Sequence, residues 1–283
     1  MTTTVWPLPT YAEIETSRKC NRTCGWCPDG EHLVRREQEL MDWGVFQDIT
    51  EQLGEAGYAG WFAFHNYNEP LLNKRLGKDV RQVREVLPLA RPAIYTNGDA
   101  LNRELLAELV EAGVCYLRIT RYPRRAETAP TYESIDAYLV RAGLADLEFT
   151  KGPVRQGLGA SADHEGVRIE VISPNILGSY NTRGGSITTL PVLARTRSEP
   201  CWMTATSLVV DYRGQVKMCC CVYPEATEHE GYVLGNVREH RLLDLWNSEA
   251  MNAYRTAHAQ ADWSLSPACA SCTQQLPETR RQA

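Results

Sequence analysis

Residues 11–27 read YAEIETSRKCNRTCGWC, a strand that runs straight into three cysteines. The segment 11–17 alternates apolar and polar residues, the period of an extended chain with one buried face. Cys20, Cys24 and Cys27 follow at C-x3-C-x2-C spacing. A structural zinc ion needs four protein ligands in a closed tetrahedron, and no fourth Cys or His stands close, His32 being the nearest. Three thiols suit a [4Fe–4S] cluster better, because three cysteines leave one iron open to an outside ligand.

Downstream, MDWGVFQDITEQLGEAG (41–57) reads as a helix capped by Asp42, with Phe46, Ile49 and Leu53 on one face and Gly54 and Gly57 at its exit. The alternation then repeats. GWFAFH (60–65) precedes a helix around 72–87, ARPAIYTN (90–97) precedes LNRELLAELVEAG (101–113), YLRIT (116–120) precedes 132–145, and VRIEVIS (167–173) follows. Such a chain predicts an α/β fold with a parallel sheet, either an open doubly wound sheet or part of a barrel. In both, loops at the C-terminal strand ends carry function. That singles out the cysteine loop, NYNEP (66–70) and NGD (97–99). The glycine-rich KGPVRQGLGASADHEG (151–166) is expected to be a mobile loop, and its GLGASA lacks the preceding strand that a dinucleotide fingerprint requires.

From about residue 198 the character changes. TSLVVDYRGQVKMC (206–219) predicts two strands joined at Arg213-Gly214, followed by a helix around 241–257 and SPACASC (266–272). The expected division is 1–195 and 196–283.

The chain has 283 residues, 43% hydrophobic and 23% charged, with net charge −5. That balance argues against a nucleic-acid partner. No apolar run is long enough to span a bilayer, and MTTTVWPLPTYAE has neither the basic nor the apolar part of a signal peptide, so the expected compartment is cytoplasmic. Ten cysteines in a reducing compartment point to metal or redox chemistry, and seven fall in two sets, 20/24/27 and 201/219/269/272.

With Trp26 just before the last cysteine, CNRTCGWC resembles the radical S-adenosylmethionine (SAM) enzymes. The resemblance implies a partial (β/α)6 TIM-type barrel and a [4Fe–4S] cluster on Cys20, Cys24 and Cys27. SAM is then cleaved there to a 5′-deoxyadenosyl radical, with a flavodoxin- or ferredoxin-type reductant supplying the electron. It implies SAM contacts at Trp26, at Asn68 and Glu69 of NEP (Asn68 standing where the family usually has Gly), at Asn97 and at Thr120. The pattern Cys201-x12-Gly214-x4-Cys219 with Cys269-x2-Cys272 resembles the twitch domain, a small β-hairpin-plus-helix module. That likeness assigns these four cysteines to an auxiliary [4Fe–4S] cluster.

CNRTCGWCP, FHNYNEPLL (64–72), ARPAIYTNGD (90–99) and NTRGG (181–185) resemble a smaller group acting on aminoglycosides or their aminocyclitol precursors. This group includes a butirosin-type alcohol dehydrogenase and epimerases of the neomycin and hygromycin type. Similarity places Tyr67, Tyr95 and Arg183 against the sugar or cyclitol, and Asp29, Glu31 and Asp99 are candidate carboxylates for its ammonium groups. In the dehydrogenase the two positions after the cluster ligand are not cysteine, whereas here they are Cys220 and Cys221. That favours an epimerase that inverts one sugar carbon, with Cys221 or Cys220 returning a hydrogen atom to the substrate radical. The alternatives are a dehydrogenase using the auxiliary cluster as electron acceptor and a non-catalytic zinc protein. On an extended chain Cys220 and Cys221 would face opposite ways. Cys115, in GVCYLRIT, reads as a small buried residue.

Overall fold

The computed structural model describes residues 5–31, 39–188, 196–272 and 274. Its strands are β1 (Tyr11–Ile14), β2 (Trp61–Ala63), β3 (Arg91–Thr96), β4 (Tyr116–Thr120), β5 (Thr150–Val154), β6 (Gly157–His164), β7 (Val167–Pro174), β8 (Ser207–Val210), β9 (Gln215–Lys217) and β10 (Val233–Asn236). They form one 10-stranded sheet in the order β10-β9-β8-β1-β2-β3-β4-β7-β6-β5. The run from β8 to β7 is parallel throughout, six strands of a partial barrel. Antiparallel hairpins extend it at both ends.

The helices are α1 (Pro28–Glu31), α2 (Trp43–Glu55), α3 (Leu76–Val86), α4 (Arg103–Ala112), α5 (Tyr132–Arg141), α6 (Ile176–Ser179), α7 (Met203–Thr206), α8 (Leu242–Trp246) and α9 (Glu249–Ala259). Their starts follow the capping residues. Asp42 accepts from Val45 N, Asn102 from Leu105 N and Thr131 from Ser134 N. Among the described residues no helix is long and apolar enough to cross a membrane.

Strand alternation sorts the barrel into two faces. Ala12, Ile14, Phe62, Ile94, Leu117, Ile119, Ile169 and Leu208 point outward into one core with Phe46, Ile49, Leu53, Val80, Val83, Leu106 and Ile135 of the helices. Each such large side chain contributes roughly 1.5–3 kcal/mol through burial. The opposite face carries Tyr11, Glu13, Tyr95 and Arg118, which line a cavity. The apolar half of each strand therefore builds the shell and the polar half builds the site.

Two segments differ from the sequence expectation. Residues 151–166 are not a loop: β5 and β6 form a hairpin, and β6 pairs with β7 over eight positions. Glycine normally weakens a strand, but at Gly157 (φ 150°) a Cβ would stand 2.3 Å from Ser173 O, so close approach demands it. The helix expected at 241–257 is two, α8 and α9, broken where Ser248 caps α9 by accepting from Met251 N.

The anticipated turn between β8 and β9 is present. Gly214 N donates to Asp211 O at 2.9 Å, and Gly214 has φ +87°. A Cβ there would meet Asn236 Oδ1 and Val237 Cγ2, each at 3.0 Å. Gly214→Val is expected to destabilise the protein by ~1–3 kcal/mol, the usual cost of a strained left-handed residue. Chemical denaturation should show it as a lower midpoint at unchanged slope.

Candidate active site

The loop after β1 folds back tightly. Cys27 N donates to Cys24 O and Gly30 N to Cys27 O, both at 3.0 Å. A Cβ on Gly30 would lie 2.0 Å from Cys24 O, so only glycine closes this loop. Cys20, Cys24 and Cys27 thereby line one cavity of about 240 Å³ at the C-terminal ends of the parallel strands. Burial pushes their thiols up to about 11, 11 and 12. A thiolate at this depth needs a cation beside it, and an all-thiol set lacking His or carboxylate suits an iron–sulfur cluster.

The same cavity is lined by Trp26, Tyr67, Asn68, Glu69, Tyr95, Asn97, Thr120 and Arg183. Glu69 is buried and accepts from Thr96 Oγ1 and Leu71 N through Oε1 and from Asn97 N through Oε2. It thus ties the loop after β2 to the loop after β3, and burial raises its carboxyl. Asn97 Nδ2 continues the chain to Asn21 Oδ1 in the cysteine loop at 2.8 Å. Asn68 is used as a brace, donating to Ser17 Oγ and Phe64 O. Trp26 packs against Tyr122 and Tyr180, and its Nε1 has no acceptor among the described residues. That orphan donor at the cavity wall suits a polar ligand.

The candidate carboxylates separate. Asp29 is buried and lines the cavity, while the side chain of Glu31 lies outside the described residues. Asp99 is not in the cavity but on its outer rim, where the Arg22 guanidinium beside it lowers its carboxyl to about 2. Sequence reasoning missed Glu13, His65, Asn66 and Arg118, all of which line the cavity. Glu13 had a signal: a charged residue in the four-residue β1, every position of which is buried. Its Oε1 accepts from Asn66 Nδ2 at 2.5 Å, and Asn66 Oδ1 accepts from the fully buried Lys217 Nζ at 2.5 Å.

Cys201, Cys219, Cys221, Cys269 and Cys272 line a second, smaller pocket of about 20 Å³. Burial pushes the Cys201 thiol up to about 12. Five thiols with no carboxylate again fit a cluster rather than a hard cation. Among the described residues no three His, Cys, Asp or Glu side chains close on one point as a single metal ion would require.

The cysteine triplet lies in a turn and not in a strand. β9 ends at Lys217, and Val222 N donates to Cys219 O at 3.2 Å, closing a turn over 219–222. The turn sends Cys219 and Cys221 to the same pocket, with Cys272 Sγ 3.9 Å from Cys221 Sγ. Cys220 presents its carbonyl to the other side, where it accepts from Asn66 Nδ2 (3.2 Å), Tyr67 Oη (3.1 Å) and Arg183 Nη1 (3.4 Å). Arg183 reaches this point from a backbone held at φ 50°, its N–H bonded to Asn181 Oδ1. Neither extra thiol lines the large cavity. Cys115 is half-buried, and its thiol donates to Gly113 O at 3.8 Å.

Residues 14–120 match the model of the radical SAM superfamily, and residues 201–273 match SPASM, an iron–sulfur cluster-binding domain. The chain is 28% identical over 271 residues to the S-adenosyl-L-methionine-dependent 2-deoxy-scyllo-inosamine dehydrogenase of Niallia circulans, covering 95% of each. The crystal structure of BtrN in complex with AdoMet and 2-DOIA is similar with a TM-score of 0.73 and 27% identity, over 95% of this chain and 94% of that one. BtrN in an open conformation shares the fold at a TM-score of 0.64 and 23% identity, with the same coverage. The epimerase expectation is overturned by these relationships, since the full-length relative is a dehydrogenase. Its physical premise fails as well, because the Cys221 thiol turns to the second cysteine set and not to the large cavity. This chain carries a radical SAM domain and a C-terminal SPASM/twitch-type cluster-binding domain, which bring SAM and [4Fe–4S] clusters as its cofactors.

Proposed function

We propose that this chain is a radical SAM dehydrogenase that oxidises one secondary alcohol of an aminocyclitol, or of an aminoglycoside built on one, to a ketone. The observation that carries the reading is the Cys219–Val222 turn, which stands as a single wall between the two cysteine sites. Tyr67, Asn66 and Arg183 hold its cavity side through the Cys220 carbonyl, while Cys219 faces the second pocket. The whole-length likeness to a 2-deoxy-scyllo-inosamine dehydrogenase supports the substrate class.

In this reading Cys20, Cys24 and Cys27 hold the SAM-cleaving cluster, and Cys201, Cys219, Cys269 and Cys272 hold the auxiliary one. When bound, the first cluster and SAM would supply hydrogen-atom abstraction at the carbinol carbon, and the auxiliary cluster would supply a one-electron sink. Trp26, Asn68, Glu69, Asn97 and Thr120 frame the SAM site, with Glu69 fixing the turn at Asn97. Tyr67, Tyr95 and Arg183 orient the cyclitol, and Asp29 faces its ammonium group. The hydroxyl proton leaves to the buried Glu13 carboxylate on the inner face of β1. Hydrogen atom, proton and electron together account for the conversion of alcohol to ketone. The electron that regenerates the first cluster comes from a flavodoxin- or ferredoxin-type carrier.

Anaerobically reconstituted protein should hold about eight irons, two Cys-ligated cubanes. Cys269→Ala/Cys272→Ala should fall to about four while still cleaving SAM and forming no ketone. With 2-deoxy-scyllo-inosamine in D2O, the product expected by mass spectrometry is a ketone two hydrogens lighter; an inverted alcohol carrying one solvent deuterium would sink the reading. Glu13→Gln should slow ketone formation about 100-fold, the usual scale for a lost general base, with SAM affinity unchanged.

A further inference from the structure

Five arginines lie around the first cysteine loop of this protein, whose net charge is −5. Arg22, within that loop, bonds Asp99 at 2.6 Å, and Arg121 and Arg141 reach the same carboxylate at 3.2 and 3.7 Å. Three guanidiniums share one carboxylate, so the rim keeps excess positive charge. Arg22 also donates to Tyr122 O, and Tyr122 packs on Trp26. On the far side of Trp26 an open surface groove is lined by Gly25, Trp26 and the segment 124–128. There Arg124 and Arg125 are exposed and make no ion pair with any described residue, with Glu127 the one acidic side chain between them and Thr128. Trp26 therefore belongs to two surfaces at once, the wall of the cavity that holds Cys20, Cys24 and Cys27 and the floor of this external groove.

This cationic strip does not serve the substrate proposed above, which is itself an ammonium compound and would be repelled. We propose that the groove at Gly25-Trp26, flanked by Arg124 and Arg125 on one side and by the Arg22, Arg121 and Arg141 group on the other, is the docking site for a small acidic one-electron carrier protein. The carrier loses one electron and the cluster beside the groove gains it; no bond is made or broken. Electron-transfer encounters need little buried area and rely on opposite charge for steering, which suits an open groove with charged flanks. The inference rests on the radical SAM site alone and stands whether or not the substrate is oxidised to a ketone.

The test compares two electron sources in the same assay, release of 5′-deoxyadenosine. One is reduced flavodoxin, a purified acidic carrier; the other is photoreduced deazaflavin, a small molecule that needs no docking surface. Arg124→Glu/Arg125→Glu should raise the flavodoxin concentration for half-maximal rate by about tenfold or more, since steered association loses one to three orders of magnitude when the field is removed. The deazaflavin-driven rate should stay within twofold of wild type. Added salt should weaken the wild-type response to flavodoxin and leave the variant's nearly flat. An unchanged flavodoxin dependence overturns the proposal. So does an equal loss with both reductants, which would make the segment 124–128 a support for the cluster loop; the milder Arg124→Ser/Arg125→Ser pair separates a folding defect from that outcome, since it must still lose flavodoxin response selectively.

Discussion

The pairing of β1 on both edges is the constraint on which the rest depends. Tyr11 sits opposite Trp61 of β2 on one side and opposite Ser207 of β8 on the other, both in parallel register. The chain thus closes a loop of nearly two hundred residues to bring β8 beside β1. Such closure is entropically affordable only when many contacts form together, and the sheet supplies them. Once made, it fixes both cysteine sets: the first leaves the end of β1, and the second hangs on the hairpin that begins with β8. The hairpin that begins with β8 is therefore continuous with the barrel sheet.

Electrostatics follow from the two faces of that sheet. The outward side chains pack against helices, leaving a polar inner face on which Glu13, Asn66 and Lys217 form a buried chain of hydrogen bonds. Buried groups of this kind are costly unless each is satisfied by another. Here the chain ends close to the Cys220 carbonyl, which Asn66 also bonds. His229 adds a second tie, accepting from Tyr223 N and meeting Gly184 O of the NTRGG turn at 3.0 Å. The wall between the two sites is thus held from both the barrel and the C-terminal segment.

Much of this was legible before folding. The Asp42 cap and the face of Phe46, Ile49 and Leu53 located α2, because local rules govern helix ends, and the strand–helix alternation anticipated α4 and α5. The cysteine spacings named the chemistry, because cluster geometry restricts which loops can supply ligands. Other features left no local trace. The β5–β6 hairpin is glycine-rich and reads as a loop, and only pairing with β7 makes it a strand. Asp99 reads as a cavity carboxylate, yet three arginines drawn from separate segments hold it on the rim.

The triplet Cys219-Cys220-Cys221 marks the boundary between the two kinds of knowledge. The sequence by itself determined a βα-repeat chain, two sets of cluster-spaced cysteines and a glycine turn at Gly214, since spacing and turn chemistry are local properties. It could not decide where the surplus thiols face. Strand alternation would put Cys221 on the face of Cys219 and Cys220 on the other, but it does not say which face meets which cavity. The tertiary structure decided that, because three donors converging on the Cys220 carbonyl from distant segments hold the backbone in the turn.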